Sequence, residues 1–166
     1  MNNFLFGTYT YLEKMVWSIV NIFPKSLRKV FYKLIFANFG KNITIDEGCY
    51  FRYPWKISIG DNTVINRGCE FYPSVKNAKS IIKLCDGVIL GPKVIFFGAG
   101  QDPSNPAEID VSGSIVVQNN AYIGGNSTIR YGVTIGDSSV IGAGSVITKN
   151  VGENSVVAGN PARVIR

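Results

Sequence analysis

The stretch IGGNSTIRYGVTIGDSSVIGAGSV, residues 123–146, returns to an apolar residue every six positions. Isoleucine occupies positions 123, 129, 135 and 141, and a serine or valine lies four positions after each of them. An α-helix repeats every 3.6 residues and an extended strand every two, so neither explains this period. A period of six indicates very short strands separated by regularly spaced turns.

The same repeat extends over most of the chain. Three repeats make one triangular coil of about 18 residues, and successive coils stack as parallel strands. The first residue of each repeat, here called the lead residue, is predicted to point inward; the lead residues are Ile45, Phe51, Ile59, Ile65, Phe71, Leu84, Leu90, Phe96, Val117, Ile123, Ile129, Ile135, Ile141 and Ile147. Four positions later a compact side chain also points inward, near a corner. The sequence therefore predicts an all-β fold, a parallel β-helix of hexapeptide repeats, over residues 41–166.

Two insertions interrupt the repeat. One lies between residues 71 and 84, and the other, between residues 96 and 117, contains the loop of residues 98–114. Both follow the third repeat of a coil, so we expect both loops to leave the same corner of the prism. Loops on a rigid scaffold often carry function, and flat β-helix faces pack well in trimers. Clefts between neighbouring subunits are therefore the expected place for a site.

Residues 1–40 have a different pattern and predict an N-terminal amphipathic helical segment, divided at Pro24. The predicted apolar face of the first helix consists of Leu5, Tyr9, Leu12, Val16, Ile19, Val20 and Phe23. The second helix is predicted to begin at an N-cap on Ser26, to end near Gly40, and to have an apolar face of Leu27, Val30, Phe31, Leu34 and Ile35. Five basic residues and one acidic residue give this block a charge of +4. It is interpreted either as a cap on the protein or a partner subunit, or as a surface for an anionic membrane.

The composition excludes several classes of protein. The three cysteines, Cys49, Cys69 and Cys85, form no CxxC motif and fit packing positions, so we expect no disulfide framework. No signal peptide or membrane-spanning stretch is recognised, and a cytoplasmic location is expected. The chain has no histidine, the commonest metal ligand, so no metal is expected. A net charge of +6 favours an anionic partner, but no motif indicates nucleic acid.

The C-terminal stretch IGAGSVITKNVGENSVVAGNPARVIR, residues 141–166, resembles the end of hexapeptide-repeat acyltransferases. This family includes galactoside and maltose acetyltransferases and bacterial polysaccharide O-acetyltransferases, and the segment PKSLRK before the first coil is more similar to the polysaccharide enzymes. The resemblance implies a left-handed β-helix in a homotrimer. It also implies transfer of acetyl from acetyl-CoA, bound in a groove between subunits, to a sugar hydroxyl in surface polysaccharide biosynthesis.

The resemblance also assigns candidate residues for the donor. The backbone at Gly125 and Ala143 would approach the pantetheine arm of CoA, and Thr148 and Lys149 would lie beside its nucleotide end. Arg163 and Arg166 would meet phosphate, which suits guanidinium groups. Without the resemblance, these residues would be interpreted as small turn residues and solvated surface charges.

For the acceptor, the resemblance points to Asn66, with Tyr122 at a position where the family often has tryptophan and Glu70 nearby. The catalytic histidine of the family aligns with Gln101, in the segment VIFFGAGQDPSNP. A glutamine amide cannot accept a proton at neutral pH, and losing a general base typically costs about 100- to 10,000-fold in rate. Asp102 is the nearest carboxylate in the sequence, with Glu70 and Glu108 further away.

Three accounts of the missing histidine remain open. The protein is an acyltransferase with a different base, or a slower acyltransferase that relies on positioning alone. The third account is a catalytically impaired member that binds CoA or a sugar, or serves as a trimeric scaffold. Gamma-class carbonic anhydrases share the same coil, but they bind zinc through histidines that this chain lacks.

Overall fold

The computed structural model describes residues 3–101 and 111–166 of the chain. It begins with two helices, α1 (Asn3–Ile22) and α2 (Lys25–Ile35), and a short 3-10 helix covers Pro54–Lys56. In neither described part of the chain does a helix combine the length and apolar character that crossing a bilayer requires. Short strands make up most of the remainder.

The strands form a prism with three faces, each a sheet that takes one strand from successive coils. The first face contains β1 (Asn38–Phe39), β4 (Ile57–Ile59), β7 (Ile82–Leu84), β12 (Ile115–Val117) and β15 (Thr134–Ile135). The second contains β2 (Thr44–Ile45), β5 (Val64–Ile65), β8 (Ile89–Leu90), β13 (Tyr122–Ile123), β16 (Val140–Ile141), β18 (Val156–Gly159) and β19 (Ala162–Val164). The third contains β3 (Tyr50–Phe51), β6 (Glu70–Tyr72), β9 (Ile95–Phe97), β14 (Thr128–Arg130) and β17 (Val146–Ile147). Neighbouring strands are parallel, except that β18 and β19 are antiparallel.

The interior of the prism confirms the six-residue repeat. Every lead residue is buried, and so are the compact side chains four positions later, such as Thr63, Cys69 and Ser127. Positive φ angles recur three residues after lead residues, as at Asn62 (φ 55°) and Gly68 (φ 69°). Asparagine and glycine tolerate this left-handed conformation, which explains why they are frequent in the turns.

Aromatic rings continue the core along the third face. The rings of Phe51 and Phe71 stack with centroids 4.8 Å apart, and those of Phe71 and Phe96 stack at the same separation. At the first coil the rings of Trp17 and Phe36 lie 5.5 Å and 5.0 Å from Phe51. The two helices therefore close the end of the prism where the ring stack begins.

The helices bury aromatic side chains that lie beside the predicted apolar faces. Trp17, Tyr32 and Phe36 are buried against the prism, whereas Val30 and Leu34 are exposed. Most described members of the two predicted apolar faces are therefore exposed in this chain, whereas Val20 is buried and Phe31 and Ile35 are partly buried. The physical reason is that the end of the prism presents the ring of Phe51, against which aromatic side chains pack at favourable edge and tilted angles.

The predicted helix ends also differ from the structure. α2 starts one residue before Ser26, and the carbonyl of Pro24 accepts the N–H groups of Leu27 and Arg28 at 3.0 Å and 3.1 Å. Gly40 follows β1 and does not end the helix. A Cβ at position 40 would lie 2.4 Å from Oδ1 of Asp61, so this glycine allows close contact with the next turn.

Both insertions leave the corner between the third and first faces, as predicted. The first connects β6 to β7, and the second connects β9 to β12. The second begins and ends with two antiparallel strands, β10 (Ala99–Gly100) and β11 (Val111–Ser112). Residues 102–110, with the candidates Asp102 and Glu108, lie outside the described residues.

Candidate functional site

The corner that carries both insertions holds a pocket of about 490 Å³, here called the corner pocket. Its lining comes from three parts of the chain: Arg52 and Tyr53, residues 72–76, and Phe97 together with residues 99–101. Gln101, one of the predicted catalytic residues, is exposed at the edge of this pocket. The rigid coils thus place β6 and β9 side by side and bring the loop residue against them.

Tyr72 links the corner pocket to Glu70. Its hydroxyl donates a hydrogen bond to Oε2 of Glu70 at 2.6 Å, because both side chains point outward from β6 two residues apart. The ring of Tyr72 stacks on Phe97 with centroids 5.5 Å apart and planes at 11°. Partial burial, with the hydrogen bond to Glu70 as the next cause, raises the pKa of Tyr72 to about 12.

The described lining of the corner pocket contains two cations, Arg52 and Lys76, and no carboxylate side chain. The guanidinium of Arg52 lies 5.1 Å from the centroid of the Tyr53 ring. Aromatic faces and nearby cations suit a sugar ring that bears hydroxyl or anionic groups. Sequence reasoning missed Tyr72, Arg52 and Phe97, although Tyr72 and Phe97 each directly follow a lead residue and so had to point outward.

A different corner, between the second and third faces, holds other predicted residues. Asn66, Gly125 and Ala143 lie in the stacked turns that follow β5, β13 and β16. The Nδ2 of Asn66 donates to the carbonyl of Leu90 at 2.6 Å, which fixes its side chain on the coil. Tyr122, exposed on β13, lies on the face that leads to this corner. None of these four residues lines the corner pocket.

The turns around Gly125 and Ala143 pack very closely. A Cβ on Gly124 would lie 2.5 Å from the amide nitrogen of Ala143, and a Cβ on Gly125 would lie 2.9 Å from the carbonyl oxygen of Pro92. The N–H of Gly144 donates to the carbonyl of Gly125 at 2.9 Å. Only small residues allow this close stacking of successive turns.

The C-terminal end of the prism brings three of the predicted donor residues together. Thr148, Lys149 and Arg163 line one pocket of about 230 Å³, here called the C-terminal pocket. The side chains of Lys149 and Arg163 are both exposed. Arg166 does not line this pocket; its backbone carbonyl accepts the N–H of Val156 at 2.8 Å. The structure therefore gathers part of the predicted donor site and leaves Arg166 beside it.

In residues 3–101 and 111–166, no group of acidic or cysteine side chains is arranged to hold a metal ion. Cys49 and Cys69 are buried, and their thiols donate to the backbone carbonyls of Asn66 at 3.3 Å and Gly91 at 3.2 Å. Both cysteines are free, and Cys85 is half-buried and free. These contacts agree with a packing role.

Comparison with known proteins identifies the family. The bacterial transferase hexapeptide (six repeats) family matches residues 114–149. The galactoside O-acetyltransferase of Escherichia coli (strain K12) is 35% identical over 144 residues, which cover 84% of this chain and 68% of that protein. The chain belongs to the hexapeptide-repeat transferases. It spans about two thirds of the length of this relative.

Solved structures of other hexapeptide-repeat transferases agree with this assignment. A maltose O-acetyltransferase from Clostridium difficile 630 is 30% identical with a TM-score of 0.83, covering 99% of this chain and 88% of that one. A hexapeptide-repeat acetyltransferase from Vibrio cholerae O1 biovar eltor, complexed with acetyl coenzyme A, is 27% identical with a TM-score of 0.83, covering 93% and 84%. The predicted left-handed parallel β-helix and the prediction of an acetyltransferase are confirmed.

Proposed function

We propose that this hexapeptide-repeat transferase moves an acetyl group from acetyl-CoA to a hydroxyl of a sugar. The observation that carries the proposal is the C-terminal pocket, where Thr148, Lys149 and Arg163 meet on a scaffold shared with acetyltransferases. The relative from Vibrio cholerae was solved with acetyl coenzyme A, and the other two relatives are named for galactoside and maltose. Cationic side chains at such a pocket suit the phosphates of CoA.

We further propose that the acceptor belongs to a surface polysaccharide or its precursor. Support comes from the segment PKSLRK, residues 24–29, which is similar to the polysaccharide enzymes. The stacked rings of Tyr72 and Phe97, beside the cations Arg52 and Lys76, offer a suitable surface for a glycan.

The proposed assembly is a homotrimer with CoA between subunits. The second face presents an apolar stripe of Ile89, Tyr122 and Val140, which stack in register on β8, β13 and β16 and are all exposed. Packing this stripe against a neighbouring copy would remove it from water. It would also bring the Asn66 corner of one subunit towards a corner pocket of another, which a single chain keeps apart.

The proposed chemistry is direct acyl transfer. The acceptor oxygen attacks the thioester carbonyl, the C–S bond breaks, and CoA leaves as a thiolate that takes up a proton. The amide of Gln101 can orient the acceptor hydroxyl but cannot remove its proton. Glu70 is a described carboxylate beside the pocket, where it accepts a hydrogen bond from the lining residue Tyr72. Asp102 and, further away in the sequence, Glu108 remain candidate bases.

Isothermal titration with CoA and acetyl-CoA tests the donor site directly. We expect saturable binding in the micromolar range, typical of enzyme substrates. Binding should be followed by release of free thiol when the protein is mixed with acetyl-CoA and a panel of galactosides, maltose and polysaccharide precursors. Absence of CoA binding at millimolar concentration would refute the proposed function.

The alternative is a catalytically impaired member that binds CoA or a sugar, or acts as a scaffold. The observation that favours it is Gln101, in a chain without any histidine. Gln101→His separates the accounts. If only the base is lacking, the variant should transfer acetyl about 100-fold faster or more. If the wild type is already fast and Glu70→Gln or Asp102→Asn abolishes turnover, a carboxylate is the base.

A further inference from the structure

The two N-terminal helices, together with the 3-10 helix Pro54–Lys56, expose an apolar surface, here called the helical face, which consists of Leu12, Val16, Ile19, Leu27, Val30, Leu34 and Trp55. Two open grooves run along it, of about 600 Å³ and about 370 Å³, and they share Phe31 and Leu34 in their linings. Leu34 is 79% exposed and Val30 is 61% exposed, although both lie on an ordered helix. A surface of this kind marks a contact with something apolar.

The helical face points away from the prism. A neighbouring side of the helices packs Trp17 and Tyr32, with Phe36 directly after α2, onto Phe51, the first ring of the stack that runs along the prism. The exposed face therefore lies at the end of the molecule. In a trimer with parallel prisms, three such faces would lie at the same end and could meet one flat surface together.

The charges beside the helical face favour an anionic occupant. Lys29 and Lys33 are both exposed and lie one turn apart on α2. Lys29 directly precedes Val30 in the sequence, and Lys33 directly precedes Leu34. Glu13, the single acidic residue in the sequence of residues 1–40, lines the larger groove and accepts a hydrogen bond from the hydroxyl of Tyr50 at 3.0 Å. An apolar stripe flanked by lysines and an exposed tryptophan is the pattern of helices that lie in a lipid interface.

We propose that the helical face docks on the surface of an anionic lipid bilayer. The apolar side chains enter the interface between headgroups and acyl chains, and Lys29 and Lys33 contact lipid phosphates. Each lysine near an anionic membrane surface contributes a favourable electrostatic free energy of binding, and salt reduces this contribution by screening. A second copy seated face to face on it is a weaker occupant, because two such faces would bring Lys29 and Lys33 against the same charges.

Docking has a consequence for the acceptor, and only this consequence rests on the proposed function. Residues 52–55 separate two surfaces: Arg52 and Tyr53 line the corner pocket, whereas Pro54 and Trp55 line the larger apolar groove. A docked molecule would hold the corner pocket close to the bilayer. Acceptor glycans anchored in that bilayer would then be within reach of the pocket. Docking would favour them over sugars that diffuse freely in solution.

Tryptophan fluorescence of the full-length protein tests docking, because the chain has two tryptophans. Both tryptophans line the larger groove, but Trp17 is 6% exposed and should respond little, whereas Trp55 is 55% exposed. Vesicles of phosphatidylcholine with a quarter phosphatidylglycerol should shift the emission to shorter wavelength, and the protein should float with them. Trp55→Phe should lose the emission shift but still float. Vesicles of phosphatidylcholine alone, or high salt, should weaken binding at least ten-fold.

Paired substitutions separate the apolar and electrostatic contributions. Val30→Ser with Leu34→Ser should lower vesicle affinity by at least ten-fold, since both side chains leave water on docking. Lys29→Ala with Lys33→Ala should lower it by about thirty-fold. Lys83→Ala, an exposed lysine on β7 of the first face, is the matched control and should have no effect.

Several results would overturn docking. These are no flotation, equal binding to phosphatidylcholine alone, or full binding by the Val30 and Leu34 double variant. If that variant instead changes the mass measured by light scattering, the helical face lies between copies of the chain and the proposal is wrong. All variants should bind CoA like the wild type, so a loss of docking and a failure of the proposed function give different results. Unchanged thermal unfolding confirms that each variant is folded.

Discussion

If the C-terminal pocket binds the nucleotide end of CoA, removing its two cations should weaken binding by a predictable amount. Lys149 and Arg163 both line this pocket and both are exposed, so each contact with phosphate is screened by water. Exposed ion pairs contribute about 0.2–1 kcal/mol each. Contacts at the upper end of this range give the double variant Lys149→Ala, Arg163→Ala a loss of about 1–2 kcal/mol, which raises the dissociation constant about 5- to 30-fold.

The assay is isothermal titration with CoA and with 3′-dephospho-CoA, which lacks the ribose phosphate. If Lys149 and Arg163 contact that phosphate, the variant should lose affinity for CoA and lose little for the dephosphorylated ligand. Lys83→Ala removes a charge of the same sign from a distant face and should bind both ligands normally. A double-mutant-type cycle, with the two ligands on one axis and wild type and variant on the other, then gives the interaction energy between the two cations and the ribose phosphate.

Two results would refute this reasoning about the pocket. Equal losses for both ligands would show that the cations do not contact the ribose phosphate. An unchanged dissociation constant for CoA in the double variant would show that the nucleotide binds elsewhere on the prism. The second result would also remove the main support for the proposed donor site.

Three further predictions concern the scaffold. Phe71→Ala should lower the free energy of unfolding, measured in urea, by about 3–5 kcal/mol, because its fully buried ring stacks on both sides; a change below about 1 kcal/mol would contradict the continuous ring stack. Gly124→Ala should cost about 1–3 kcal/mol, since its Cβ would meet the Ala143 nitrogen at 2.5 Å, whereas Gly152→Ala, with 3.8 Å to the nearest atom, should be neutral. The raised pKa of Tyr72 contributes stability that is complete below pH 10 and is lost as the pH rises to about 12, so Tyr72→Phe should flatten that fall; an unchanged slope would mean that Tyr72 ionises normally.

Turnover, where it is detected, should depend on pH in a way that reflects the absence of histidine. A carboxylate base predicts a rate that rises with pH well below the range of an imidazole, whose ordinary pKa is about 6.5. Measuring kcat/KM across the acidic range with acetyl-CoA and an active acceptor checks this. A rising limb near neutrality would contradict both Glu70 and Asp102 as the base.

The repeating part of the fold was predictable because one physical requirement recurs in every coil. Each lead residue must be apolar, and each residue four positions later must be compact. A departure from this pattern therefore shows where an insertion interrupts the repeat. The positions of the two loops at one corner followed from counting repeats. Stacking also fixed which residues share a corner, as for Gly125 and Ala143 on successive turns.

The helical segment and the pocket were less predictable, for a different reason. Spacing along a helix shows that a face is apolar, but it does not show which face the rest of the protein covers. Here the end of the prism presents Phe51, and the aromatic side chains of Trp17 and Tyr32 pack on it in place of the aliphatic ones. Likewise, Tyr72 and Phe97 are 25 positions apart in sequence, and only the stacking of β6 on β9 makes them neighbours.

The closed end of the prism has a consequence for solubility and assembly. The strands of the first coil, β1, β2 and β3, are each the last strand of their sheet, so their outer backbone groups have no further coil to bond. Without the helices, this edge and the ring of Phe51 would be open to the equivalent end of another molecule. The helices therefore prevent end-to-end association of prisms into fibres. A shortened chain that lacks the helices would polymerise, so its behaviour would report on polymerisation more than on lipid affinity.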